Sequence, residues 1–99
     1  MPLVVRVKPR ARREINALAA WWAENRLAAP GAVAADLRDA LDLLVEFPGV
    51  GTRVENSRDP ETRFWPINRL GYDLYYRQRD KYLEVVAFWS SSREAGPKV

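Results

Sequence analysis

Ninety-nine residues, 47% hydrophobic and 29% charged, suffice for one folded domain with a modest core and speak against disorder. The chain has no cysteine, which excludes disulfides, thiolate metal sites and cysteine nucleophiles, and no histidine, which removes the commonest general base near neutral pH. A formal net charge of +3 favours an anionic partner, either a polyanion or an acidic protein, and any catalysis must draw on Lys, Arg, Tyr, Asp or Glu.

The opening segment, MPLVVRVKPR, carries an apolar run too short for a signal peptide or a membrane span, so a cytoplasmic protein is expected. Leu3 to Val7 predicts a first strand, closed by Pro9. Arg6, Lys8, Arg10, Arg12 and Arg13 all precede the first acid, Glu14, which makes the strand-to-helix junction a basic patch. Such a run is ordinarily a solvated surface. A helix is predicted from about Arg10, with Ile15, Leu18, Ala19 and Trp22 forming one apolar stripe. Trp21, about 100° round from Trp22, lies either at the edge of that stripe or open to a partner.

Ala28-Ala29-Pro30-Gly31 breaks the helix, because proline lacks a donor and glycine is conformationally free. In the second predicted helix Val33, Leu37, Leu41, Leu44 and Val45 form the stripe, while Asp36, Asp39, Asp42 and Glu46 point outward. The short connection implies an antiparallel helical hairpin whose joined stripes cover one face of a sheet. Pro48-Gly49-Val50-Gly51 ends the second helix. Thr52 to Glu61 is polar and aperiodic; counted from Pro48 it predicts a loop of about fourteen residues, either mobile or functional.

Eight of the eleven aromatic residues lie between Thr62 and Arg93, a stretch that reads as three antiparallel strands. The first, Arg63 to Ile67, contains Pro66, which has no N–H for a ladder and places this strand at the sheet edge. The second, Leu70 to Arg77, sends Leu70, Tyr72, Leu74 and Tyr76 to one face and Gly71, Asp73, Tyr75 and Arg77 to the other. After a polar turn at Gln78 to Lys81, the third, Tyr82 to Trp89, is apolar on both faces apart from Glu84 and belongs nearer the centre. Ser90 to Val99 reads as a polar tail, frayed over about 94–99. The expectation is a single domain over residues 1–99. Its class is α+β and two-layer, β-α-α-β-β-β, with the hairpin packed on a mostly antiparallel four-stranded sheet.

Several chemistries fail at once. Gly49 and Gly51 follow a helix instead of linking a strand to a helix start, so there is no phosphate loop. Asp36, Asp39 and Asp42, spaced by three on an exposed helical face, do not supply the ligand number of a hard cation, and no metal or cofactor is expected. Ser90, Ser91 and Ser92 lack a base to activate them. What remains is RNA cleavage or macromolecular binding. Arg93, beyond the last strand, suits a phosphate-binding role, and Arg63, Arg69 and Arg77 would add field.

A short strand with a basic junction, a helical hairpin ending in Pro-Gly-x-Gly, R-x-W-P-I at Arg63 to Ile67, G-Y-x-L-Y-Y-R at Gly71 to Arg77, a valine-rich strand and S-R-E at Ser92 to Glu94 follow one another. Together, from about Val4 to Arg93, they resemble the RelE/ParE superfamily of type II toxin–antitoxin toxins. The resemblance implies a small toxin held inactive by a co-encoded antitoxin. RelE-type members cleave messenger RNA on the ribosome with lysines at positions that here hold Phe64 and Pro66, an arginine where Asp73 stands, an arginine after the last strand, and often a terminal tyrosine, near Val99 here. Of that set only Arg93 is kept. The ParE-type pattern matches better and implies inhibition of DNA gyrase by binding, with no bond broken.

On this resemblance Arg63, Trp65, Arg69, Arg77 and Arg93 are the candidates for target binding, Arg93 being the candidate toxicity residue. Trp21, Leu41 and Leu44 are the candidates for antitoxin binding. The alternatives are a ribosome-dependent endoribonuclease and a non-toxic scaffold of the same fold.

Overall fold

The third predicted strand lies inside the sheet, which has five strands instead of the four expected. The computed structural model describes residues 3–99; Met1 and Pro2, the start of the opening segment and of the expected domain, lie outside the described residues. The elements are β1 (Val4–Val7), α1 (Pro9–Asn25), α2 (Ala32–Glu46), a 3-10 turn (Pro48–Val50), β2 (Thr52–Arg53), β3 (Thr62–Ile67), β4 (Tyr72–Gln78) and β5 (Tyr82–Ser90). The sheet order is β1-β5-β4-β3-β2, with β1 parallel to β5 and the other pairs antiparallel.

The fifth strand, β2, falls in the stretch read as an aperiodic loop, because two residues are too few to show a period. It pairs only with Phe64 and Arg63. Pro66 lies past its reach, where β3 is still open, so the missing proline donor leaves no ladder bond unmade. The edge inferred from Pro66 is therefore real but local.

Pro9 occupies the first turn of α1, where a missing N–H costs nothing, and Lys8 before it is extended. The helices bury Ala11, Leu18 and Trp22 from α1 and Ala32, Val33, Leu37, Ala40 and Leu44 from α2. They meet Ile67, Leu70, Leu74, Tyr76, Leu83, Val85 and Phe88 from the sheet. The alternation predicted for β4 holds: Tyr72, Leu74 and Tyr76 contribute to this core, while Tyr75 sits in a second cluster.

That second cluster exists because of a β-bulge. Tyr76 pairs with Val85 and Tyr75 with Ala87, so Val86 is the extra residue. Val86 and Ala87 both join Tyr75 in the second cluster, and Phe88 returns to the helix-covered core. Val54, Phe64, Trp89 and Val99 pack around it.

Val99 reaches the cluster because the tail runs back over the sheet. The Lys98 carbonyl accepts from Arg10 Nη1 at 2.7 Å, and the Val99 carbonyl accepts from Arg77 Nη2 at 2.9 Å and from Ser57 Oγ at 2.7 Å. Trp89 Nε1 donates to the Ala95 carbonyl at 2.9 Å. Residues 94–99 read as frayed because they carry no apolar period. What ties them down is their main chain, which composition does not register.

Pro48-Gly49-Val50-Gly51 is fixed from below. The buried Tyr76 hydroxyl donates to the Pro48 carbonyl at 2.6 Å and accepts from the Gly51 amide at 3.0 Å. A side chain at Gly51 would strike that hydroxyl and lie 2.8 Å from the Phe64 carbonyl, so only glycine fits there.

Candidate functional site

A cleft of about 810 Å³ opens between α1 and the end of the sheet formed by the β3–β4 turn and the residues after β5. Gly71, the one residue with positive φ among those described (67°), closes that turn and bends Leu70 into the core. Tyr72 stacks on Phe88 at 4.9 Å, so the cleft has an apolar floor of Leu18, Trp22, Leu70, Tyr72 and Phe88. The buried Trp22 indole N–H has no acceptor. Trp21, 46% exposed, meets Trp22 edge to face at 6.2 Å and forms one wall.

Two guanidinium groups stand over indole rings beside this floor. Arg26 lies 5.3 Å from the Trp21 ring and 5.8 Å from that of Trp22. Arg93 lies 4.1 Å from the Trp89 ring. The Arg93 loop is built by short-range hydrogen bonds: the Arg93 amide donates to the Ser90 carbonyl at 3.3 Å and the Ser91 amide to the Gly71 carbonyl at 2.9 Å. Ser91 Oγ donates to Asp73 Oδ1 at 3.1 Å, which keeps that carboxylate on the serine. Among the described residues neither arginine has a carboxylate within ion-pair range. A cation on a π face keeps much of its hydrogen-bonding capacity, so both are free to meet an incoming anionic group.

The one carboxylate lining the cleft, Glu14, is engaged. Strand β1 stops at Val7, opposite Val85, and leaves the edge of β5 open beyond that point. Glu14 Oε1 accepts from the Phe88 amide there at 3.0 Å, while its other oxygen meets Arg10 Nε at 3.4 Å.

The remaining candidates are dispersed. Arg63 Nη1 donates to the Gly51 carbonyl at 2.7 Å, holding the turn below α2. Arg69 forks onto Asp36, Nε to Oδ2 at 2.8 Å and Nη2 to Oδ1 at 2.6 Å, joining the β3–β4 turn to α2; that carboxylate raises the arginine's pKa. Arg77, with a side chain 13% exposed, is bound by Thr62, Asp59, Glu84 and the Val99 carbonyl. Trp65 is half-buried against the core, in a groove beside Asp36 and Asp39. Thus Arg63 and Arg77 are structural ties away from the cleft, whereas Arg69 lines the same cleft as Arg93 with its guanidinium held by Asp36.

The antitoxin candidates separate as well. Leu44 is wholly buried and has no surface to offer, because the middle of the α2 stripe faces the sheet. Leu41 lines an apolar groove of about 530 Å³ between the helices. Trp21 alone reaches the cleft that holds Arg93. Sequence reasoning did not single out Arg26, although its spacing of four and five residues from Trp22 and Trp21 is the signal that would have found it.

Tyr75 and Tyr76 are not activated as proton carriers. Burial, with Asp73 adding to it, raises the Tyr75 pKa, and burial likewise raises that of Tyr76. Both phenols move away from the neutral range that a general base needs. At the positions where RelE-type members carry cations, Phe64 packs against Tyr75 at 5.7 Å, Pro66 is exposed, and Asp73 serves the serine loop. Among the described residues no group of three acids is placed to hold a metal ion, and no helix is long and apolar enough to cross a membrane.

Residues 5–95 match the family described as "ParE toxin of type II toxin-antitoxin system, parDE". Among solved structures, the chromosomal ParDE TA system from P. aeruginosa is similar with a TM-score of 0.69 and 16% identity, over 89% of this chain and 95% of that chain. The YoeB dimer from Staphylococcus aureus is similar with a TM-score of 0.62 and 14% identity, over 90% and 97% of the respective chains. At such identities the likeness concerns the fold. No curated protein is close enough in sequence to match.

Proposed function

The chain belongs to the ParE toxin family of type II toxin–antitoxin systems, and we propose that this toxin inhibits DNA gyrase by binding it, without breaking a bond. The observation that carries the non-catalytic reading is the company Arg93 keeps: among the described residues its cleft adds Arg26 and Arg69 and one engaged carboxylate, Glu14, but no lysine. Arg93 stands on Trp89 with no carboxylate partner among the described residues. The neighbouring sheet positions where a nuclease of this fold would need cations hold Phe64, Pro66 and Asp73. A guanidinium binds an anionic group but does not also supply the proton transfers of RNA cleavage. Gyrase as the target follows from the ParE-type pattern of β3 and β4.

The antitoxin occupies the same cleft. Its apolar floor, its exposed Trp21 wall and its two unpaired arginines suit an acidic segment with apolar anchors that folds on binding. Seated there, the segment covers Arg93, so neutralisation and toxicity use one surface.

The test is supercoiling by purified gyrase. Inhibition by the toxin, relieved by its antitoxin, is the expected result. Unchanged supercoiling together with messenger RNA cut at ribosomal A-site codons overturns the gyrase reading and restores the nuclease.

A further inference from the structure

On the face of the sheet away from the helices, a hollow of about 400 Å³ gathers cations from four parts of the chain. Lys8 and Arg10 come from the β1–α1 junction, Arg58 from the β2–β3 loop, Arg77 from β4 and Lys98 from the tail. This is where the basic run near the amino terminus acquires distant neighbours. Lys98 is brought in by the tail's own ties, its carbonyl to Arg10 and the next carbonyl to Arg77.

Among the described residues the one acidic side chain that lines the hollow is already taken. Asp59 accepts from Arg79 Nη2 at 2.7 Å and faces Arg77 Nε at 3.6 Å. Arg10 is occupied by Lys98 and Glu14, and Arg77 by Thr62 and Val99. Lys8, Arg58 and Lys98 are left over: among the described residues none has a carboxylate within ion-pair range. Like charges held around a hollow create a positive potential that a bound anion relieves.

We propose that this hollow is a phosphate-binding site. Three unpaired cations from separate segments suit an oxyanion with several acceptor oxygens and more than one negative charge better than a single carboxylate, which one arginine fork can satisfy. Among the described residues its apolar lining is Val86 and Val99, with no aromatic face to stack a base, so it recognises phosphate and not nucleobases. The phosphate comes either free in solution or on the backbone of a nucleic acid. Neither source depends on gyrase being the target.

The full chain is titrated at constant ionic strength with inorganic phosphate, and in a second arm with short single-stranded DNA, while the backbone amide signals are followed by NMR. Shifts centred on Lys8, Arg10, Arg58 and Lys98 are expected. The combined exposed-surface variant Lys8→Gln, Arg58→Gln, Lys98→Gln should weaken binding about tenfold or more. If backbone phosphates are the natural source, DNA binds as well, and the log-log salt slope of its affinity falls by about two in the variant. Phosphate binding without DNA binding assigns the free anion. Absence of both responses, an unchanged affinity in the folded variant, or a response to polyglutamate alone overturns the proposal.

Discussion

Arg77 and Arg93 sit at opposite ends of the β4–β5 pair and are the same residue in opposite circumstances. Arg77 lies where β4 faces the start of β5, opposite Glu84, with Asp59, Thr62 and the Val99 carbonyl closing around it. Arg93 lies beyond the end of β5, exposed, with only the face of Trp89 beneath it. One guanidinium has its charge and donors consumed by the fold; the other keeps them for a partner. Residue type therefore says little about role here, and what surrounds the side chain decides it.

Breaking that contrast begins with the largest expected effect. Arg77→Ala removes one of the two arginines that Asp59 and Glu84 share, leaving Arg79, and unties the tail, at a cost of about 2–3 kcal/mol because the cluster is only partly buried. Urea denaturation measures it; a loss below about 0.5 kcal/mol would mean that the network is ornamental. Gly51→Ala, which drives a methyl group into the Tyr76 hydroxyl and the Phe64 carbonyl, is expected to cost about 1–3 kcal/mol in the same assay. Arg69→Ala removes a largely exposed pair with Asp36 and should move the urea midpoint only slightly, without reducing toxicity.

A pH series sharpens the comparison at the locked end. The hydrogen bond from Arg79, followed by that from the Glu61 amide, holds the Asp59 carboxyl below its ordinary value of 3.8. A depressed carboxyl stabilises the fold above its unfolded pKa, and that contribution disappears as pH falls from about 3.8 through the lower folded value. Asp59→Asn should therefore flatten the acid limb of the stability curve while leaving its shape near neutrality unchanged. The smallest stability effect belongs to Arg93→Ala, within about 0.5 kcal/mol of the parent, together with loss of toxicity on expression without antitoxin. Retained toxicity in that folded variant would remove Arg93 from the target surface.

Local pattern and local chemistry determined much of this protein. The helical stripes of α1 and α2, the alternation of β4, the two-sided apolarity of β5 and the demand of Pro66 for an unpaired edge all follow from neighbours a few residues away. The position of Arg93 beyond the last strand was legible for the same reason. Tertiary structure alone decided which cations are spent. Arg69 finds Asp36 33 residues away, and Arg10 finds the Lys98 carbonyl across 88. It also decided the two-residue β2, the bulge at Val86, and the docking of a polar tail through its carbonyls. An ion pair or a main-chain acceptor leaves no periodic trace in sequence: its free energy depends on distance and burial, and both exist only once the sheet has brought remote segments together.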